Sequence, residues 1–190
     1  LEIKEIYENI GGATVIELYK YKEKEMDEIL KSIGILVDSR EKANSHIIEW
    51  LDTKKIPYQV GGLPFGDYSF YIPANESLGI PRDLHFHKEI VIERKGSLEE
   101  LSGNFSKERD RIEKEISLYK GKMIMLIENA DYCDIVEGKY TTKYAPKSFL
   151  ATLHSFSNRY DVELMFMSDN KYSGLYMLNT FYYYLRNIVK

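Results

Sequence analysis

The sequence predicts an α/β sandwich in which helices cover both faces of a mixed central sheet. Short apolar runs of strand length recur along the chain and end abruptly in charge, as Ile35-Leu36-Val37-Asp38 and Ile90-Val91-Ile92-Glu93-Arg94-Lys95 do. Consecutive apolar residues without alternation read as strands buried on both faces. Stretches with apolar residues at helical spacing lie between them, and that interleaving marks a layered α/β domain. With 190 residues and 44% hydrophobic content, the chain is one compact domain with room for a real core.

Residues 1–32 mix charge with scattered apolar positions (Ile16, Leu18, Met26, Ile29, Leu30) and are read as a short strand and a helix, an N-terminal extension packed on a domain spanning 33–190. Residues 35–38 form a strand. Residues 44–54, carrying Ile47, Ile48 and Leu51, form an amphipathic helix that ends before Pro57. Strands follow at 58–60 and 68–72, separated by a Gly- and Pro-containing turn, then a polar loop over 73–88. After the strand ending in Glu93, one helical face is marked by Leu98, Leu101, Phe105, Ile112, Ile116 and Tyr119, with an expected break at Ser102-Gly103-Asn104. A buried strand at 123–127, a helix at 146–158, a strand at 162–167 and a terminal helix at 172–189 complete the set. The order is strand, helix, three strands around a hairpin, helix, strand, helix, strand, with the charged strand ends together on one edge.

Those charged ends suggest chemistry. Hydrolysing a phosphodiester needs an activated water and neutralisation of the charge growing on the phosphoryl oxygens, and hard oxygen ligands on Mg²⁺ or Mn²⁺ supply both. Asp67, at a Gly66-Asp67 turn, and Glu93 are the candidate ligands. Arg94 would add its backbone carbonyl, because its side chain must point to the opposite face of the strand from Glu93 and Lys95. Lys95 returns to the Glu93 face, where it can hydrogen-bond the attacking water or a phosphate oxygen. Alone, Glu-x-Lys is common in a chain with 29% charged residues and reads as a salt-bridged strand end.

Two further segments make the pattern specific. Val37-Asp38-Ser39-Arg40-Glu41, Gly66-Asp67-Tyr68 and Glu93-Arg94-Lys95, in that order, resemble the nuclease domain of the XPF-type structure-specific endonucleases, a branch of the PD-(D/E)xK superfamily. The resemblance covers residues 33–170, and the compact, Tyr-rich form is similar to stand-alone versions in phages and prophages of low-GC Gram-positive bacteria. It implies a restriction-endonuclease-like α/β/α sandwich, a Mg²⁺ or Mn²⁺ cofactor and DNA as partner, with branched DNA or single-strand/double-strand junctions as candidate substrates. Residue by residue, Asp67 and Glu93 match the metal-binding carboxylates, Lys95 the catalytic lysine and Arg94 a residue that contacts DNA or braces the site. Asp38, Arg40 and Glu41 match residues completing the pocket, Asp38 among the catalytic set. Glu99 stands where the family usually has Asp, one methylene longer. Arg111-Ile112-Glu113-Lys114-Glu115 is similar to the pattern of the family's second helix, which assigns Arg111 and Glu115 supporting roles. The helix-hairpin-helix module of larger relatives is not expected, so branch selectivity is not inherited.

Composition is compatible with this reading. A net charge of -4 does not favour a DNA binder, although local patches matter more than the total. Arg94, Lys95, Lys107, Arg109, Arg111 and Lys114 cluster, but interleaved Glu108, Asp110, Glu113 and Glu115 equally make a solvated helix face with i,i+4 pairs. A single cysteine, Cys133, excludes an intramolecular disulfide and a Cys-cluster zinc site and points to a reducing compartment. No apolar run approaches the ~18 residues of a membrane span, and a signal peptide is not recognisable, so a cytoplasmic protein of a bacterium or phage-infected cell is expected.

His85-Phe86-His87 places two imidazoles on one side without a third ligand and is read as solvated loop. Glu128 either faces the site or is an ordinary strand-end carboxylate. The 16 tyrosines include Phe181-Tyr182-Tyr183-Tyr184, whose directions about 100° apart on a helix preclude one stacking face; core packing and a homodimer or partner surface is the reading. Two functional classes follow: a metal-dependent DNA endonuclease, favoured by the intact Asp67, Glu93 and Lys95, or a DNA-binding or adaptor domain without turnover.

Overall fold

The structure, a computed structural model, describes residues 16–17 and 19–190. The N-terminal helix is present as α1 (Glu23–Lys31), which buries Ile29 and Leu30. The strand expected in residues 1–32 is not found among the described residues of that stretch; residues 1–15 and 18 lie outside the description.

The sheet comprises β1 (Gly34–Asp38), β2 (Tyr58–Gly61), β3 (Tyr68–Ile72), β4 (Leu84–His85), β5 (Ile90–Lys95), β6 (Lys122–Glu128) and β7 (Val162–Met167). Its order is β2-β1-β3-β5-β6-β7, with the short β4 added to β3. β1 pairs parallel with β2 and antiparallel with β3, while β5, β6 and β7 are mutually parallel. The strand of Asp67 and the strand of Glu93 are antiparallel neighbours, β3 and β5, as the expected hairpin requires; β2 does not pair with β3, because β1 lies between them. A parallel return needs a crossover, and α2 (Ser45–Lys54) supplies it, ending on Lys55 in the left-handed region. The Gly-rich loop after β2 then carries the chain past the end of β1 so that β3 enters antiparallel.

Alternation along the strands divides the core into two layers. Ile35, Val37, Phe70, Ile92, Ile124 and Leu126 face a helical layer containing Ile29, Ile47, Leu51, Met177 and Phe181. Val91, Met123, Met125 and Ile127 face the other, built on Leu98, Leu101, Phe105, Phe149, Leu153 and Phe156. Each such fully buried side chain is worth about 1.5–3 kcal/mol of transfer free energy, which is why the strands carry almost no polar residue before their charged ends. Phe70 stacks on Phe86 with ring centroids 4.2 Å apart.

The helix predicted to break at Ser102-Gly103-Asn104 runs through those residues as α3 (Leu98–Lys107), and the break falls at Glu108, before α4 (Arg109–Leu118). Leu101, Ser102 and Phe105 are buried there. That packing, with an N-cap in which Ser97 Oγ accepts from the Glu100 N–H, outweighs the roughly 1 kcal/mol cost of a mid-helix glycine. A short α5 (Tyr132–Val136), absent from the sequence reading, precedes α6 (Pro146–Tyr160), which starts with proline in its first turn and ends at Asp161 with φ 53°. On the last helix, α7 (Ser173–Ile188), Phe181 is fully buried and Tyr183 exposed, two residues whose directions on a helix lie about 200° apart. His85 is exposed, as expected, but lies on the two-residue β4 and not in a loop, and His87 is half-buried in the turn after it.

Candidate active site

The site is assembled where the start of β3 wedges between the ends of β1 and β5. The Asp38 N–H donates to the Asp67 carbonyl at 2.8 Å and the Asp67 N–H to the Ile92 carbonyl at 2.9 Å, so the Asp67 backbone bridges both neighbours. Gly66 permits this. Its φ is +65°, and a Cβ there would come 2.7 Å from the Val91 Cβ, so a side chain is excluded by conformation and by space. The Asp67 Oδ2 then accepts the Arg94 N–H at 2.7 Å, which fixes the carboxylate against β5.

On β5 the side chains alternate as expected. Glu93 and Lys95 share a face, and Lys95 Nζ donates to Glu93 Oε1 at 2.7 Å. Together with Asp67 they line a cavity of about 250 Å³, whose wall also includes Arg40, Asn104, Arg111 and Glu115, with Ile112, Ile116, Met123 and Met125 among the apolar residues lining it. Burial, and next the neighbouring Glu93 carboxylate, push the Asp67 carboxyl up to about 7. Burial opposes charge on Lys95, but Glu93 outweighs it and the ammonium is held above its ordinary value. Lys95 is therefore a charged donor at neutral pH. The pair of carboxylates, one of them reluctant to ionise, is an arrangement that a divalent cation would relieve.

Asp38 lies beside this centre, and its oxygens are already engaged. Oδ1 accepts from the Arg40 N–H and Nε, and Oδ2 from Arg40 Nη2 and the Leu63 N–H, all within 3.0 Å. Four hydrogen bonds fill the lone-pair sites of a carboxylate. Burial would raise the Asp38 carboxyl, but these donors hold it below the usual range. In this geometry Asp38 clamps Arg40 and the loop after β2, and Arg40 reaches the cavity wall.

Arg94 projects to the opposite face of the sheet. It is 6% exposed and forms ion pairs with Glu41 at 3.0 Å and Glu128 at 2.8 Å, while His46 Nε2 lies 2.8 Å from the other Glu128 oxygen. Burial alone would lower the guanidinium, yet the two carboxylates raise it. Glu128 thus belongs to the face away from the Glu93–Lys95 cavity, and Arg94 braces the end of β5 from behind. His46 was not singled out by any motif. Its signal lies in the three-dimensional need of a buried carboxylate for donors.

The remaining candidates separate. Arg111 and Glu115 reach the cavity, and Arg111 is ion-paired to Glu108 and, at 3.7 Å, to Glu115. Arg109 is paired with Glu113 at 2.8 Å, the i,i+4 arrangement. Glu99 is not part of the cavity wall; its Oε1 accepts the Thr141 N–H at 3.0 Å and ties the loop before α6 to α3. Asn104, read from the sequence only as a helix breaker, faces the cavity.

A family model described as the ERCC4 domain matches residues 37–180. The chain belongs to the ERCC4 domain family. In fold, this ERCC4 domain is similar to XPF from Aeropyrum pernix, at 18% identity and a TM-score of 0.55, over 77% of this chain and 59% of that one. It is likewise similar to XPF from Aeropyrum pernix in complex with DNA, at 18% identity and a TM-score of 0.56, over 80% of this chain and 64% of that one. The ERCC4 domain thus spans less than two thirds of these structures. No curated protein sequence matches it.

The donor set of the ERCC4 domain suits a hard divalent cation. No group of three His, Cys, Asp or Glu side chains placed to hold a metal occurs among the described residues. Asp67 and Glu93 share the cavity wall beside Lys95, and Mg²⁺ characteristically takes one or two carboxylates and fills its remaining positions with water and substrate phosphate oxygens. The backbone carbonyl of Arg94 is the candidate third protein oxygen.

Proposed function

We propose that this chain is a Mg²⁺- or Mn²⁺-dependent DNA endonuclease, acting on branched or flapped DNA in recombination, repair or replication in the cytoplasm. The observation that carries the reading is the convergence of Asp67, Glu93 and Lys95 in one cavity at the β3–β5 junction, with Arg40 and Arg111 in its wall. The bound ion would offset charge on the phosphoryl oxygens and make a water nucleophilic at neutral pH. Asp67 and Glu93 would hold that ion. Lys95, charged and anchored on Glu93, donates to a non-bridging oxygen as negative charge grows there. Arg40 is preset by Asp38 and presents a guanidinium to the DNA backbone, and Arg111 can leave its exposed glutamates for a phosphate at little cost. The bracing of Arg94 keeps its carbonyl and the Glu93–Lys95 pair in register. The similar XPF from Aeropyrum pernix was solved in complex with DNA, which supports DNA as the partner.

Labelled flap, fork, Holliday-junction, single-stranded and linear duplex DNA incubated with Mg²⁺ or Mn²⁺ test this. Cleavage lost in Asp67→Asn supports the nuclease, and the ranking of substrates supplies its selectivity. Binding without cleavage by the wild-type chain would move the reading to a silent DNA-binding or adaptor domain. We also propose a homodimer through the face of α7 that exposes Leu175 and Tyr183; a monomer by light scattering at high concentration would count against it.

A further inference from the structure

We propose that Asn104 is a substrate-contacting residue of this site, its amide carbonyl accepting from the attacking water and its NH₂ donating to a non-bridging oxygen of the scissile phosphate. The inference rests on the nuclease reading above. Asn104 is the one neutral polar side chain in the cavity wall, among the described residues. Its charged neighbours are already engaged: Lys95 with Glu93, Arg40 with Asp38, and Asp67 with the Arg94 N–H. The Asn104 Oδ1, by contrast, is buried and accepts no hydrogen bond.

A buried acceptor without a donor costs stability in the free protein, and each such group in a native fold calls for a reason. Asn is also a poor mid-helix residue, because its side chain competes for backbone hydrogen bonds. Here it sits inside α3, beside Gly103, whose missing Cβ would meet nothing within 4 Å. Packing therefore does not explain the choice of glycine at 103. Local rules broken without a structural return cluster at functional positions. A neutral amide is suited to this one. It accepts from water and donates to phosphate without adding charge beside two carboxylates or repelling the DNA.

In the reaction the water oxygen bonds to phosphorus and the phosphorus–ester oxygen bond breaks. The water's proton passes to solvent and the leaving ester oxygen is protonated from solvent. Asn104 orients these groups and neither gains nor loses a proton.

The full chain with Asn104→Ala, Asn104→Ser and Asn104→Asp, beside Asp67→Asn, tests the proposal in single-turnover cleavage of flap DNA with Mn²⁺, alongside Mn²⁺ binding by calorimetry and thermal unfolding. Loss of a group that acts at the reacting oxygens lowers the rate about 10²-fold in Asn104→Ala, with Mn²⁺ affinity unchanged. Asn104→Ser, which keeps an acceptor and a donor, recovers part of the rate, and Asn104→Asp, which adds charge against the phosphate, does not. Tm in Asn104→Ala is unchanged or higher, because an unpartnered acceptor is removed. Wild-type rate in Asn104→Ala, or a rate loss accompanied by a lower Tm, overturns the assignment. Should the wild type cleave none of the substrates, the nuclease reading fails first. The Asn104 side-chain amide, assigned by its absence in Asn104→Ala, is then followed by NMR as flap DNA and Ca²⁺ are added, and an unmoved resonance overturns the contact itself.

Discussion

Replacing Asp67 by Asn has a consequence for stability whose sign depends on pH and metal. The unfolded Asp67 carboxyl ionises near 3.8, while in the folded protein burial and Glu93 raise it to about 7. Between those values the folded state holds the proton and the unfolded state does not. Stability from this group is therefore full below pH 4, falls as pH rises through 7 and stays low above it, the reverse of an ordinary salt-bridged Asp. The difference corresponds to an upper value of about 4 kcal/mol at pH 8, or roughly 8–16 °C in Tm for a domain of this size. Asn mimics the protonated carboxyl and can still accept the Arg94 N–H through its own Oδ1. In metal-free buffer, Asp67→Asn should melt above the wild type at pH 8 and converge with it near pH 4.5. Saturating Mn²⁺ should raise the wild-type Tm at pH 8 far more than at pH 5.5, and should barely move the variant. The assay is scanning calorimetry across pH with and without Mn²⁺. Parallel pH profiles for the two metal-free proteins would refute the claim that Asp67 is destabilised as an anion, and an equal Mn²⁺ shift in both would remove it from the ligand set.

Other substitutions separate the functions of neighbouring residues. Arg94→Leu leaves Glu41 and Glu128 buried without their cation and should cost about 3–5 kcal/mol in denaturant unfolding; Glu128→Gln, which keeps an acceptor for Arg94, should cost less, and the opposite order would mean that Arg94 is not the centre of the network. Lys95→Ala should lower turnover by at least roughly 10²-fold while leaving Mn²⁺ affinity nearly intact, since a charged donor and not a ligand is lost; a matching loss of Mn²⁺ binding would reassign it. Gly66→Ala should destabilise by about 1–3 kcal/mol, because it combines positive φ with a Cβ driven onto Val91; a stability equal to wild type by urea melt would show that the Gly66 turn can relax.

Much of this molecule is legible in one dimension because its strands are buried on both faces, so apolar runs announce them and charge announces their ends. The alternation that places Glu93 and Lys95 together and Arg94 opposite follows from strand geometry, and motif order was enough to identify the family. Helical geometry likewise keeps Phe181 and Tyr183 off one common face of α7, while packing decides that Phe181 is the buried one. Pairing is another matter. Nothing local tells β2 to lie outside β1 and not beside β3, because the choice depends on α2 packing as a crossover against the sheet. The continuation of α3 through Gly103 and Asn104 was likewise decided by the burial of Leu101 and Phe105 against α6, which overrides helix propensity. The saturation of Asp38 by Arg40 and Leu63, the use of Glu99 to hold Thr141, and the assembly of Glu128 and His46 behind Arg94 were decided only in three dimensions. A buried charge is satisfied by whichever partners the fold brings within hydrogen-bond distance, and those partners lie 25 to 82 residues away in the chain: Leu63 for Asp38, Glu41 and Glu128 for Arg94, and His46 for Glu128. Residue identity thus determined which chemistry the chain can perform, and tertiary packing determined which of its many carboxylates are free to perform it.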